Sequence, residues 1–336
     1  MNLREIAKKL NVSPGTVSIA LSGNPRGLPF SEQTLKRIRA YAKRVGYVPN
    51  RLAQKIFHPE RENAIGVVFL QDTAVDRNLP LIPHIINRVS AQSREYQILG
   101  STLDRLAETM QLLRGMNIRQ VITIGMTYAN DFLGLGKLKD MEIFATDYIG
   151  NAEQKLPSCI RCACTTNRYE FHMKLVENIV KLGLDPIAAN SDVEFLHKQG
   201  IIPEKLYFDH TYLHSNLFDF GYGVALNLIP AIRKGQCRTI IMHNDRIAAG
   251  ALKAFIEHTV DIPNEVQVLG FNNSDYANYL GIPLTSVQVP TASHLDKILD
   301  FLLDGCELPN IIFSPLQFIP RASTTGELNR LYLNSI

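Results

Sequence analysis

The chain has 336 residues, of which 46% are hydrophobic and 20% charged, with a net charge of +3. That is the composition of a soluble globular protein long enough for two or three folding units. It excludes a membrane-spanning chain, because no stretch approaches the roughly 20 uninterrupted apolar residues of a span. The N-terminus is polar and charged from Arg4 onward, with no apolar secretory core. Five cysteines, an odd number, make no disulfide framework and suit a reducing compartment, so a cytosolic protein with no membrane partner is expected.

Charge is unevenly placed. Residues 1–62 hold 12 Lys and Arg against 4 Asp and Glu, and the remainder holds 23 against 28. A small basic head on a mildly acidic body points to nucleic acid as the partner of the head.

Within the head, Leu3, Ile6, Ala7 and Leu10 recur at helical spacing, so residues 3–10 form an amphipathic helix with Arg4, Lys8 and Lys9 outward. Asn11 suits a tight turn. Ser13 is an N-cap and Pro14 fits the first helical position, where its missing N–H costs nothing, so a second helix starts there with Val17, Ala20 and Leu21 on its apolar face. A third helix begins at Ser31 and ends at Gly46, with Leu35, Ile38, Ala42 and Val45 inward. Its Lys36, Arg37, Arg39, Lys43 and Arg44 are expected to face phosphates. Next, "YVPNRLAQKIF" (residues 47–57) offers Pro49 as a stop, Asn50 as a cap and a helix of about two turns, too short to stand alone in water.

"LREIAKKLNVSPGTVSIALSG" followed by "GYVPNRLAQKI" resembles the LacI/GalR family of transcription regulators, with head and hinge motifs in the same order and spacing. The resemblance implies that Pro14, Gly15, Thr16, Ser18, Ile19 and Ser22 lie toward DNA. It adds Tyr47, Asn50, Arg51, Ala53 and Ile56 from the hinge, with Ile56 as an apolar wedge in the minor groove. Ile19 stands where many relatives carry Arg and offers only apolar contact, as to a thymine methyl. The segment "VSPGTVSIALSG" carries no Arg, Lys, Gln or Asn between Ser13 and Ser22, so base reading is expected to be thin. Arg26, in the slightly long loop "GNPRGLPF", is a candidate for an extra contact. Operator DNA and a second copy of the chain are the partners implied.

From Ala64 the pattern changes to apolar strands alternating with helices: "IGVVFL", "YQILGST", "QVITIG", "EIFATD", "CIRCAC", "DPIAAN", "RTIIMH" and "EVQVLG". This alternation predicts doubly wound α/β layers with parallel sheets. "CIRCAC", with His172 downstream, raises a metal site. Strand periodicity instead sends Cys159 to one face and Cys162 and Cys164 to the other, and buried strand cysteines are expected. The family resemblance continues at "MHNDRIAAGALKAF", "VQVLGFNNSDYA", "IPLTSVQVP" and "PRASTTG". It implies a two-lobed body of type I periplasmic-binding-protein architecture, with crossovers near residues 163, 289 and 320. The expected organisation is a helix-turn-helix head (1–48), a hinge helix and linker (49–62) and a body (63–336). The N-lobe is placed at 63–163 and 290–320, the C-lobe at 164–289 and 321–336.

Ligands of open α/β sheets bind beyond the carboxyl ends of the strands, which points to Gln71, Asp72, Thr102, Asn167, Asn190, Asn244, Asp245 and Asn272 as cleft residues. The resemblance adds Phe218 as an aromatic that stacks on ligand. It lacks the arginine helix that in relatives clamps the ligand. A cleft rich in amides suits a neutral hydroxylated effector, a sugar or nucleoside. No nucleophile elbow, P-loop, dinucleotide glycine pattern or spaced zinc motif is present, so neither enzymatic activity nor a cofactor is expected. The expected function is a dimeric, effector-controlled repressor. The alternative is a receptor-like solute-binding protein with no transcriptional role. "LNRLYLNSI" at the end is too short for a stable coiled coil, so no tetramer built on it is expected.

Overall fold

The computed structural model describes residues 2–21, 30–47, 64–70, 78–128, 132, 135, 138–149, 156, 158–185, 187–190, 207–208 and 216–333. Helix α1 (Leu3–Leu10) opens on a capping box: Asn2 Oδ1 accepts from Glu5 N at 2.9 Å and Glu5 Oε2 accepts from Asn2 N at 3.0 Å. It closes on Asn11 in the left-handed region, φ 52°. Helix α2 (Pro14–Leu21) starts where Ser13 Oγ accepts from Thr16 N at 3.0 Å. Helix α3 (Glu32–Arg44) starts where Ser31 Oγ accepts from Thr34 N at 3.3 Å. The apolar stripes of the three meet in a core of Ile6, Ala7, Val17, Ala20, Leu35 and Ile38, with Val45 at its half-buried edge. Met1–Asn63 and Ala64–Ile336 are separate compact units.

In the larger unit the described strands form two six-stranded sheets. The first runs β11-β5-β4-β3-β1-β2, from β1 (Ile65–Leu70), β2 (Tyr96–Ser101), β3 (Gln120–Tyr128), β4 (Glu142–Ile149), β5 (Ile160–Thr165) and β11 (Ile311–Phe313), all parallel. The second runs β12-β10-β9-β8-β6-β7, from β6 (Ile187–Asn190), β7 (Tyr207–Phe208), β8 (Thr239–Ile241), β9 (Gln267–Phe271), β10 (Thr285–Gln288) and β12 (Gln317–Ile319). Only the β10–β12 pair of this sheet is antiparallel.

Helices cover both faces of each sheet, as parallel strands buried on both sides require. Against the first pack α5 (Leu106–Gly115) on one face, and α4 (Leu81–Ala91) and α9 (Thr291–Leu299) on the other. Against the second pack α6 (Arg168–Lys181) on one face, and α7 (Leu217–Arg233) and α8 (Asp245–Glu257) on the other. A final helix, α10, spans Gly326–Leu333. All eight expected strand segments form strands. The short strands β7, β10, β11 and β12, two to four residues each, were not among them.

The chain leaves the first sheet after Thr165, returns after Gln288 and crosses again between Phe313 and Gln317. The third crossing is therefore earlier than residue 320, and residues 317–319 belong to the second sheet. The cause is local: β11 pairs with β5 while β12, three residues on, pairs with β10. Asn167 Oδ1 holds this passage by accepting from Leu316 N at 2.9 Å.

The cysteine strand follows its periodicity. Cys159 packs in the layer under α5, and Cys162 and Cys164 in the opposite layer under α4 and α9. His172 lies elsewhere, on α6, its ring stacked on Phe271 at 5.3 Å between centroids. Among the described residues, no group of three His, Cys, Asp or Glu could hold a metal, and no helix is long and apolar enough to cross a membrane.

Candidate nucleic-acid interface and effector cleft

Capping by Ser13 turns α2 so that Val17 and Ala20 are buried while Pro14, Gly15 and Ile19 are exposed and Thr16 and Ser18 half-exposed. These five share the outer surface of one short helix, with no side-chain charge on it. Thr16 Oγ1 lies 2.8 Å from Ser13 Oγ, which fixes its rotamer and leaves its remaining hydrogen-bonding capacity for an outside partner. Tyr47 is half-buried against the head core. Ser22, Arg26, Asn50, Arg51, Ala53 and Ile56 lie outside the described residues.

Two of the basic side chains of α3 are also engaged within the head. Arg37 Nη2 donates to Leu10 O at 2.8 Å and Arg39 Nε donates to Ala20 O at 3.1 Å. Each guanidinium therefore closes a C-terminal carbonyl of α1 or α2, groups left open by helix geometry and favourable for a cation. Lys36 pairs with Glu32 at 3.3 Å, and Arg44 lies over the Tyr41 ring at 4.7 Å. Arg4, Lys8, Lys9 and Lys43 are exposed.

In the body, Gln71 and Asp72 lie outside the described residues. Thr102 follows β2 and Asn167 precedes α6, while Asn190 ends β6. Asn244 is the third residue after β8 and Asn272 follows β9 directly, with φ 100°. The described members thus stand at carboxyl ends of strands, on both sheets. Asn244 is nearly buried, at 7% exposure, and its Oδ1 caps α8 by accepting from Ile247 N at 2.9 Å.

Asp245 is not a cleft-surface residue. It is wholly buried, and its two oxygens accept from Ser286 Oγ and from Ser274 N, each at 2.6 Å. It ties the start of α8 to the loop after β9 and to β10. Asn273 and Arg321 extend this tie: Asn273 N donates to Ser286 Oγ at 3.0 Å and Arg321 Nη2 donates to Asn273 Oδ1 at 2.6 Å.

Burial pushes the Asp245 carboxyl up to about 6, against the opposing pull of Ser286, Ser274 and Arg321. An unfolded aspartate titrates near ~4. Between those values the folded state holds the extra proton, so this group's contribution to stability falls as pH rises and is level above about 6. Denaturant unfolding from pH 4 to 7 should show the decline in the wild-type chain and its loss in Asp245→Asn. An unchanged slope in the variant would assign the titration to another group.

Phe218 also departs from expectation. It is brought not onto the amides but beside Tyr276, with Arg246 over its ring at 5.5 Å. It lines a surface pocket of about 470 Å³ with Tyr222, Ala249, Gly250, Lys253 and Leu280. It stands there because α7 and α8 approach at two glycines, and Gly250 sits directly against the Phe218 carbonyl.

Sequence reasoning missed Asp147 and Arg168. Asp147 on β4 and Arg168 at the start of α6 approach across the two lobes, with Nη2 3.8 Å from Oδ2. The guanidinium lies over the Phe271 ring at 5.3 Å. Arg168 directly follows the singled-out Asn167, but only the fold brings a β4 carboxylate to it.

Residues 192–324 match the family model described as a periplasmic binding protein-like domain. The regulator GalS of Salmonella typhimurium, an HTH-type transcriptional regulator, is 22% identical over 329 residues, covering 91% of this chain and 90% of its own. Among solved structures, the Lac repressor bound to ONPG in its repressed state superposes with a TM-score of 0.73 at 16% identity, covering 96% of this chain and 99% of that one. The Lac repressor dimer bound to operator and the anti-inducer ONPF gives 0.72 at 16% identity, with 97% and 99% covered. Head motif, near-whole-length similarity and two-sheet body agree: the chain is similar to HTH-type transcriptional regulators and has the fold of the Lac repressor.

Proposed function

We propose that the chain is a sequence-specific DNA-binding transcriptional regulator of repressor type, acting as a homodimer and controlled by a small effector bound between the lobes. The observation that carries this reading is the exposed, uncharged surface of α2 on a head whose body has the periplasmic-binding-protein fold. A helix presenting Pro14, Gly15, Thr16, Ser18 and Ile19 serves close backbone approach and apolar contact, while Arg4, Lys8, Lys9 and Lys43 supply phosphate attraction. The hinge residues Asn50, Arg51, Ala53 and Ile56 join two protomers in the minor groove, with Ile56 as wedge. The head covers residues 1–48 and the hinge 49–62. The receptor-like alternative is not favoured, since it accounts for neither the head nor the whole-length similarity to regulators.

The amides expected at the strand ends, Asn167, Asn190, Asn244 and Asn272, suit a neutral hydroxylated effector. The relatives are named as regulators, not enzymes, and the cleft is read as a binding site without catalysis. A DNA regulator works where the chromosome is, so the protein is placed in the cytoplasm. Selection of bound duplexes from random DNA tests the function. A two-fold dimer should recover a pseudo-palindromic site, whereas a pool with no common site contradicts the proposal.

A further inference from the structure

The turn after β9 is bent where side chains are seldom found. Asn272 and Asn273 are consecutive, and both have positive φ, 100° and 51°. Glycine takes such angles at no steric cost and other residues do not, so a turn that keeps two side chains there is held by its surroundings. Three successive amides show how. Asn272 N donates to Val287 O at 2.7 Å, Asn273 N to Ser286 Oγ at 3.0 Å and Ser274 N to Asp245 Oδ2 at 2.6 Å. The Asp245 carboxylate fits against β9 because a glycine stands there: a Cβ on Gly270 would lie 2.2 Å from Oδ1.

The side chain of Asn273 adds a fourth restraint. Its Oδ1 accepts from Arg321 Nη2 at 2.6 Å, while Arg321 Nη1 donates to Leu284 O at 2.7 Å and Arg321 N to Thr285 Oγ1 at 2.8 Å. One guanidinium thus joins the turn to the entry of β10. The planar fork reaches both acceptors at once, which the single ammonium of a lysine matches poorly. Asn272, directly before Asn273, stands at the carboxyl end of a parallel strand, where open α/β sheets take ligands. We propose that Arg321 is a positioning residue: by holding Asn273 it fixes the left-handed turn that presents Asn272 to an effector. This rests on the effector-binding reading above and adds how one of its contacts is kept in place. A group already ordered before binding spares the cost of ordering it, so a loosened turn loses affinity before it loses fold.

The test uses the full-length protein. Hydrogen exchange is followed over residues 272–274, and calorimetry is run with glucose, galactose, sucrose and adenosine as neutral hydroxylated probes. Two variants remove the restraint: Arg321→Lys loses the fork, and Asn273→Gly takes the positive φ freely while deleting the acceptor. Asn273→Asp keeps an acceptor for Arg321 and is the conservative control. In the first two, exchange over the turn should quicken at least tenfold and the probe that binds the wild-type chain should bind at least tenfold more weakly. Asn273→Gly should melt within a few degrees of wild type, and Asn273→Asp should stay near wild type in exchange and affinity. Unchanged exchange in both restraint variants overturns the proposal, since Arg321 then does not hold the turn. A loosened turn with unaltered affinity overturns it as well and leaves the effector reading standing. Equal loss in Asn273→Asp and Asn273→Gly takes the effect away from the Arg321 contact and overturns it too. Failure of all four probes to bind the wild-type chain overturns the effector reading, and the positioning role falls with it.

Discussion

Replacing Gly221 or Gly250 with alanine should lower the melting temperature of the body by roughly 5–10 °C. Both lie where α7 and α8 press together. A Cβ on Gly221 would stand 1.9 Å from the Ile247 carbonyl oxygen, and one on Gly250 would stand 2.0 Å from that of Phe218. The obstacles are backbone atoms, so no rotamer change relieves them and the helices must separate. Alanine gains about 1 kcal/mol of helix propensity over glycine. Overpacking costs typically ~1–3 kcal/mol and occasionally more, and against backbone at these distances the upper end applies, so destabilisation wins. Gly223, on the same helix with nothing within 4 Å of its Cβ position, is the control: Gly223→Ala should leave stability level or raise it. Differential scanning calorimetry decides, and equal behaviour of all three variants would mean that α7 and α8 are not packed in this way.

The double substitution Arg37→Ala with Arg39→Ala should lower the melting temperature of the head by roughly 10 °C. Each guanidinium bond at these part-exposed sites contributes about 1 kcal/mol, and the loss falls on a unit of some 60 residues whose total stability is only ~5 kcal/mol. The structural role makes a prediction that a phosphate role does not. If the two arginines only contacted phosphates, the head would melt unchanged, and the salt dependence of binding would lose about 0.9 in log-log slope for each contact removed. If they close α1 and α2, head melting followed by circular dichroism drops and the remaining slope per folded head is preserved.

The head was legible in the sequence because its signals are local: a Ser cap, a first-turn Pro and apolar residues three and four apart specify each helix from within. The eight expected strands were legible for the same reason, as runs long enough to show their period. What escaped depends on approach between distant segments. Nothing near Gly221 announces the Ile247 carbonyl, and nothing in "DRIAAG" says that Asp245 turns inward to Ser286 rather than toward a ligand. Phe218 was misplaced because its surroundings are set by that helix contact. Arg37 and Arg39 read as a basic surface until the ends of α1 and α2 are seen beneath them. Residues 317–319 moved to the second sheet because strands this short carry no pattern of their own and take their place from their neighbours.

The central claim is that the uncharged outer face of α2 reads bases while charge elsewhere on the head holds phosphates. Its most direct test is equilibrium binding of the wild-type chain and of Thr16→Ala with Ser18→Ala and Ile19→Ala, to the selected site and to a scrambled duplex, across a salt series. All three positions are at least partly exposed, so the fold of the head should survive, and its melting curve checks this. The account predicts that affinity for the selected site falls by ten- to a hundredfold, toward the scrambled value. Affinity for scrambled DNA and both salt slopes should stay as they were. A triple variant that still prefers the selected site as strongly as wild type would contradict the account.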